Sequence, residues 1–403
     1  MSVQGGICAV LSSAGDAARL TAASLFTLQY RGTQCAGLTA FDSHRQSDLH
    51  GVGLVRDVIR LNEDYYTSAL GAVFRKVTIQ PIKIAQGVVL AVCGRLTDSS
   101  RLVHDELVSR LQLERGGTLS CRLISALSGL NGVFVGVMAT PSELLAFCDS
   151  SGLQTLVIGQ LATGWCVATE SCGFGLVQAS YMRKVGPGQL VRLTSDDLVM
   201  TQFAPSQPRQ CSMQLVSLMR PDSCYGGGEV HSVRVRSGAV LAREAPATGD
   251  VVVAVPDAAM GAAVGYATEA GIRFDQAIFR NRYPGATELC QQFNILPETV
   301  NGKRVVIVEN AVHTGRTLTY VVKSIREAGA GEVHVRVASP PIRSVCLYAN
   351  GVEQAGRLIA GRSSVEEIRQ FLDVETLAFL SEAGLQEAIK LTAEQTCRQC
   401  MAG

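Results

Sequence analysis

The sequence predicts an α/β protein of two consecutive domains, and three observations carry that expectation. At 403 residues the chain is longer than one hydrophobic core ordinarily organises. Its first half is β-rich, with short apolar runs punctuated by Gly and Asp, whereas its second half alternates strand-like and helix-like segments. In that second half Lys303–Leu318 (KRVVIVENAVHTGRTL) runs from an apolar β-branched stretch through a polar loop into an amphipathic segment.

In the first half Ile7–Leu11, Gly87–Cys93, Gly132–Met138, Leu145–Cys148, Leu156–Ile158 and Gly164–Thr169 are strand-like. Ala17–Gln29, Leu102–Leu111 and Leu119–Leu127 have helical spacing. Strands in two groups with helices between them predict a layered α/β sandwich over 1–204. Phe203–Gln210, with Pro, Gln and Ser, is the expected joint. Over 205–403 the strands are Val251–Val255, Val305–Val308 and Val333–Ala338, and the helices Val240–Glu244, Gly261–Glu269 and Thr317–Glu327. Ser364–Leu372 and Leu377–Ile389 follow as further helices, the first with Glu366 and Glu367 in its opening turn. That alternation implies a mostly parallel sheet with flanking helices.

Composition narrows the function classes. Hydrophobic residues make up 47% and charged residues 18%, a globular balance that leaves room for subunit contacts. No apolar run reaches the roughly 18 residues a membrane helix needs, and MSVQGGICAV lacks the basic start of a secretion signal. A net charge of +1 with scattered Lys and Arg disfavours a nucleic-acid partner. Thirteen cysteines at irregular spacing fit thiols in a reducing cytoplasm, or a metal site.

Within Lys303–Leu318, Glu309 stands at the carboxyl end of the strand and Thr314-Gly315-Arg316-Thr317 precedes the helix. Backbone N–H groups and the positive end of the helix dipole suit a phosphate there, and Thr hydroxyls add donors. An ordinary strand–helix turn is the competing reading. Near the C-terminus, the Cys397-x-x-Cys400 spacing fits one metal centre, a redox couple or unpaired thiols.

Several blocks in order (GICAVLSS, LQYRGTQCAG, LAVCGRLTD, DSSGLQTLVIG and ATESCGFGLVQA) resemble amidophosphoribosyltransferase, and the resemblance continues through MRPDS, NRY, GKRVVIV and RSSVEEIRQFL. It implies an N-terminal-nucleophile-hydrolase-like αββα sandwich followed by a type I phosphoribosyltransferase-like domain. It also implies that the glutaminase is dead. The family's nucleophilic cysteine falls on Gly5, and its oxyanion Asn falls on Cys93, a poor donor. Losing one oxyanion donor typically costs about 3 kcal/mol in the transition state. Cys8, an odd step further along the strand, is read as a small core residue. The block that holds the glutamine carboxylate has no match around residues 74–79.

In the second half, the resemblance places phosphoribosyl or phosphate contacts on Asp257, Glu309, Asn310, His313, Thr314, Gly315, Arg316 and Thr317. Asn310 replaces a second Asp, and Ala258 and Ala259 replace Ser-Gly of the pyrophosphate loop. The closing loop is shortened to Gly285–Asn294, with Ala286 at the family's Arg. His313 either faces solvent or stands near a base. Cys211, Cys346, Cys397 and Cys400 fall on the ligand positions of family members with a [4Fe–4S] cluster. The implied cofactors are therefore that cluster, with zinc as the alternative, and Mg²⁺ wherever phosphoribosyl pyrophosphate binds. The expected role is a degenerate, cluster-bearing regulator, scaffold or partner subunit in the cytoplasm, as a homo-oligomer or a hetero-oligomer with an active enzyme. The alternative is a phosphoribosyltransferase that takes ammonia or another acceptor in place of glutamine.

Overall fold

The computed structural model describes residues 5–42, 44–61, 65–74, 80–99, 101–114, 116–281, 288–346, 348 and 357–401. The chain divides into two compact units, Met1–Gln210 with Leu347–Asn350, and Cys211–Cys346 with Gly351–Gly403. No helix is long and apolar enough to cross a membrane among the described residues.

The first unit stacks two antiparallel sheets. A seven-stranded sheet has Gly5–Ser12 at its centre, between Gly164–Ala168 and Ser68–Phe74. A six-stranded sheet pairs Val88–Leu96 with Gly132–Ala139 and that strand with Leu144–Cys148. Alternation of side chains sends Ile7, Ala9, Leu70 and Ala72 toward Ala91, Val135, Val137 and Ala146 in the layer between the sheets. The opposite faces are covered in turn. Helix Ala17–Thr27 buries Leu25 against Cys8, Val10 and Leu38, and helix Val103–Leu113 buries Leu107 against Leu90 and Val92. Covered on both faces, Gly5–Ser12 is buried at every position.

The second unit is built on a four-stranded sheet, here β1 (Val251–Ala254), β2 (Arg304–Glu309), β3 (Glu332–Val337) and β4 (Thr376–Phe379), in that spatial order and all parallel. Helices α1 (Val230–Glu244), α2 (Met260–Ala270), α3 (Arg316–Glu327), α4 (Val365–Leu372) and α5 (Glu382–Ile389) flank it. The central strands are valine-rich because helices cover both faces: Val306 and Val308 pack with α1 and α2, Val305 and Ile307 with α3. Leu318, Val321, Val322 and Ile325 are the buried face of α3, as their spacing predicts. Ser364 accepts from Glu367 N and Glu367 reaches back to Ser364 N, a capping box that starts α4.

Two segments differ from the sequence expectation. The helix expected over Val240–Glu244 starts already at Val230. Leu377–Ile389 is not a single helix: Thr376–Phe379 is an edge strand, and Ser381 caps a separate helix at Glu382. A short apolar run does not distinguish strand from helix by periodicity, and here pairing with β3 decides it.

Helices α1 and α2 approach so closely that a Cβ at Gly238 would run into the backbone of Ala262, and one at Gly265 into that of Val235. The obstacle in both cases is backbone, which a rotamer change cannot relieve. Gly265→Ala is therefore expected to lower stability by about 3 kcal/mol in a denaturant titration. Val264→Ala, at a partly exposed neighbour, should stay within about 0.5 kcal/mol of the parent.

Candidate functional site

Parallel strands place all their following loops at one edge of the sheet, where open α/β proteins bind ligands. The loop after β2 is best formed for this. Gly315 takes a left-handed conformation (φ 78°) and is the N-cap of α3 without any side-chain cap. Thr319 N donates to the Gly315 carbonyl (2.9 Å), so the helix begins at once. The first-turn N–H groups of Thr317 and Leu318 then have no acceptor within the helix. Ile359 N donates to the His313 carbonyl (2.9 Å) and braces the loop from outside. Thr314, Arg316, Thr317 and Tyr320 line a cleft of about 610 Å³, closed on the other side by Glu288, Leu289 and Cys290. His313 is exposed beside it.

The two residues before this loop turn inward. Glu309 and Asn310 are each 8% exposed. The Asn310 backbone N–H donates to Glu309 Oε1 (2.8 Å), and the Asn310 side-chain amide donates to the Val216 carbonyl (3.2 Å). Burial pushes the Glu309 carboxyl up to about 7, against the backbone donors of Asn310 and Ala311 that favour its ionised form. Asp257 is exposed in the loop after β1, the strand beside β2. Ala259 in that loop adopts φ −79°, an ordinary right-handed conformation, so this loop does not require the glycine freedom that the family sequence supplies. Gly285 and Ala286 of the expected shortened lid lie outside the described residues.

Residues 239–354 match the phosphoribosyl transferase domain family. The amidophosphoribosyltransferase of Bacillus subtilis is 33% identical, over 96% of this chain and 90% of its own length. That of Archaeoglobus fulgidus is 32% identical, over 96% and 93%. This chain belongs to the amidophosphoribosyltransferase family. Among solved structures, the glutamine phosphoribosylpyrophosphate amidotransferase of B. subtilis, complexed with ADP and GMP, matches with a TM-score of 0.91 at 31% identity. That match covers 99% of this chain and 96% of the other. The allosteric regulatory enzyme of purine biosynthesis matches with a TM-score of 0.90 at 30% identity, covering 99% and 95%.

Family membership makes the first unit's departures informative. At Gly5, the position that the sequence resemblance pairs with the family's nucleophile, an added Cβ would lie 2.6 Å from Cδ1 of Phe74 and 2.8 Å from the Val73 carbonyl oxygen. The aromatic ring occupies the space a cysteine side chain needs. Burial pushes the Cys93 thiol up to about 12, despite the nearby Arg31 charge and the Gly5 backbone donor, so it remains a neutral thiol. Cys8 is fully buried with its sulfur 3.9 Å from that of Cys166, a core position. Sequence reasoning missed Arg31, Tyr30 and Glu170. Glu170 is wholly buried and accepts from both the Arg31 guanidinium and the Tyr30 hydroxyl, and Arg31 Nε donates to the Gly5 carbonyl (3.2 Å). These residues stand in blocks that the resemblance already singled out, but no local spacing links positions so far apart in the chain. Residues 75–79, the rest of the unmatched glutamine-carboxylate block, lie outside the described residues.

The expectation of an iron–sulfur-type family member is corrected. Among the described residues no group of three or more His, Cys, Asp or Glu side chains is arranged to hold a metal ion. A [4Fe–4S] cluster or zinc on Cys211, Cys346, Cys397 and Cys400 is therefore not supported, nor is the cluster-bearing regulator or scaffold built on it. The fold does bring the segments together: Gln210–Cys211 pairs with Thr396–Cys397, and the Cys400 carbonyl accepts from Arg343 N and Ser344 N (2.9 and 3.1 Å). Burial first, and the neighbouring cysteines after it, push both Cys211 and Cys400 up to about 12. Sequence context reported proximity of the segments, and it is the side-chain arrangement that fails to make a ligand set.

Two outcomes follow. Gly5→Cys is expected to release no glutamate from glutamine and to melt below the parent, because the ring of Phe74 must move; glutamate release would overturn this account of the first unit. Glu309 has a folded-state value raised from an ordinary 4.5 to about 7. Its contribution to stability is thus fully present below about 4.5 and is lost as pH rises through about 7. The size is on the order of 3 kcal/mol. Glu309→Gln should flatten the fall in denaturation midpoint over this window, measured against the parent at the same pH values.

Proposed function

We propose that this chain binds a phosphorylated ribose, as phosphoribosyl pyrophosphate or a nucleotide, in its second unit and does not hydrolyse glutamine in its first. The observation that carries this reading is the uncapped start of α3. Gly315 in the left-handed region starts the helix so that the Thr317 and Leu318 amides have no acceptor within it, beside a cleft lined by Thr314, Arg316 and Thr317. Donors of three kinds then converge on one dianion: backbone N–H, hydroxyl and guanidinium. The likeness to a solved relative complexed with ADP and GMP supports a ligand of this chemistry.

Within this reading the residues take separate parts. Thr314, Gly315, Arg316 and Thr317 hold the 5′-phosphate, and His313 stands at the mouth of the loop. Asp257 stands exposed in the loop after β1, the strand paired with β2, while the buried Glu309 and Asn310 act from beneath as a neutral, hydrogen-bonded floor. The absence of a nucleophile at Gly5 removes glutamine as a nitrogen source. Phosphoribosyl transfer to ammonia or another acceptor is the second reading, favoured by the loops after β1 and β2 lying side by side at the carboxyl ends of paired strands. We also place the protein in the cytoplasm, where thirteen cysteines remain thiols, and propose self-association or association with an active relative.

Calorimetric titration with ribose 5-phosphate tests the binding reading. Arg316→Gln combined with Thr317→Val is expected to weaken binding by about tenfold or more, since two charge-assisted or hydroxyl contacts are lost. Unchanged affinity would sink the assignment. Pyrophosphate release from phosphoribosyl pyrophosphate with ammonia, in magnesium buffer, would establish the second reading; glutamate release from glutamine would refute the first.

A further inference from the structure

At the carboxyl ends of β3 and β4 the second unit carries a groove that the phosphate loop does not use. It consists of two adjoining hollows of about 580 and 380 Å³ that share Pro341, Arg343 and Val365. The ends differ in chemistry. One adds Arg362 and Ser363, and the other adds Pro340, Phe379, Leu380 and Met401 together with Ser381 and Glu382, whose carboxylate is paired with Arg398. A cationic end therefore runs into one that is largely apolar.

Among the described residues the positive charge at the first end has no paired carboxylate. The described acidic residues that follow it in the chain are engaged elsewhere: Glu366 pairs with Arg369 (2.7 Å), Glu382 pairs with Arg398, and Glu367 accepts from Ser364 N and Oγ (2.7 and 2.8 Å). Among the described residues neither the Arg343 nor the Arg362 guanidinium has a carboxylate partner. Arg343 is also fixed at its backbone, where its N–H donates to the Cys400 carbonyl (2.9 Å). Two guanidinium forks with a hydroxyl between them match an oxyanion of several terminal oxygens better than a single carboxylate. The prolines and Phe379 then offer a wall for an apolar or aromatic body attached to that oxyanion.

We propose that this groove is a binding site for an organic phosphate monoester, with the phosphate on Arg343, Arg362 and Ser363 and the ester's apolar body against Pro340, Phe379 and Met401. The assignment is independent of the loop at Thr314–Thr317, which lies on different residues and a different strand. Occupancy adds charge balance that the protein alone does not supply.

Phenyl phosphate and inorganic phosphate, titrated calorimetrically into the full chain, are the probes. The parent is expected to show two classes of site for phenyl phosphate, with the groove preferring it to inorganic phosphate. Arg343→Gln with Arg362→Gln should weaken the groove class by about tenfold or more and leave the other class intact. Arg343→Lys with Arg362→Lys should recover part of the loss. Arg316→Gln with Thr317→Val should weaken only the loop class, so failure of either assignment is visible separately. Circular dichroism confirms that each variant is folded. A double Gln variant that titrates like the parent, or equal affinity of the groove for the two probes, would overturn the proposal.

Discussion

The junction between β2 and α3 sets what the second unit can do. A strand buried on both faces must be Val- and Ile-rich, and it must hand its backbone to a helix within a few residues to keep those faces covered. Gly315 makes that turn by entering the left-handed region, and the price is a set of first-turn amides that the helix itself does not satisfy. Those amides face a cleft of ligand size. The same junction explains why Glu309 and Asn310 differ from the residues after them. They stand where strand gives way to loop, still under the helices, so burial raises the Glu309 carboxyl and the Asn310 amide finds a carbonyl rather than solvent.

The first unit is held by packing between its two sheets. Its sandwich needs small or β-branched residues at alternating positions, and Gly5–Ser12 still supplies them at the centre of the seven-stranded sheet. Phe74 fills the space beside Gly5, and Arg31, which with Tyr30 donates to the buried Glu170, also donates to the Gly5 carbonyl. A buried ion pair of this kind holds geometry rather than supplying net stability. Packing and strand pairing thus maintain the amidophosphoribosyltransferase architecture.

Much of this was legible in the residues themselves. Val305–Val308 and the 3.6-residue spacing of Leu318, Val321, Val322 and Ile325 announce strand and helix without reference to distant neighbours. Ser364 with Glu367 marks a helix start by local hydrogen bonding alone. Thr376–Phe379 was not legible, because four apolar-biased residues satisfy either period and only pairing with β3 selects the strand. Cys211, Cys346, Cys397 and Cys400 show the limit from the other side. Two of their segments are neighbours in the fold, but among the described residues no group of three or more such side chains is arranged to hold a metal ion.

By itself the sequence determined the two-part α/β organisation, the Thr-Gly-Arg-Thr composition of the loop before α3 and the glycine at position 5. These are local properties: hydrophobic period, turn residues and the identity of one side chain. Tertiary structure alone decided that Phe74 blocks the vacated position, that Glu309 is buried enough to titrate near neutrality, and that Arg343 and Arg362 meet across a groove. Each of those depends on which distant segments share a dielectric environment or a surface. That is set by chain topology, and no spacing along the chain encodes it.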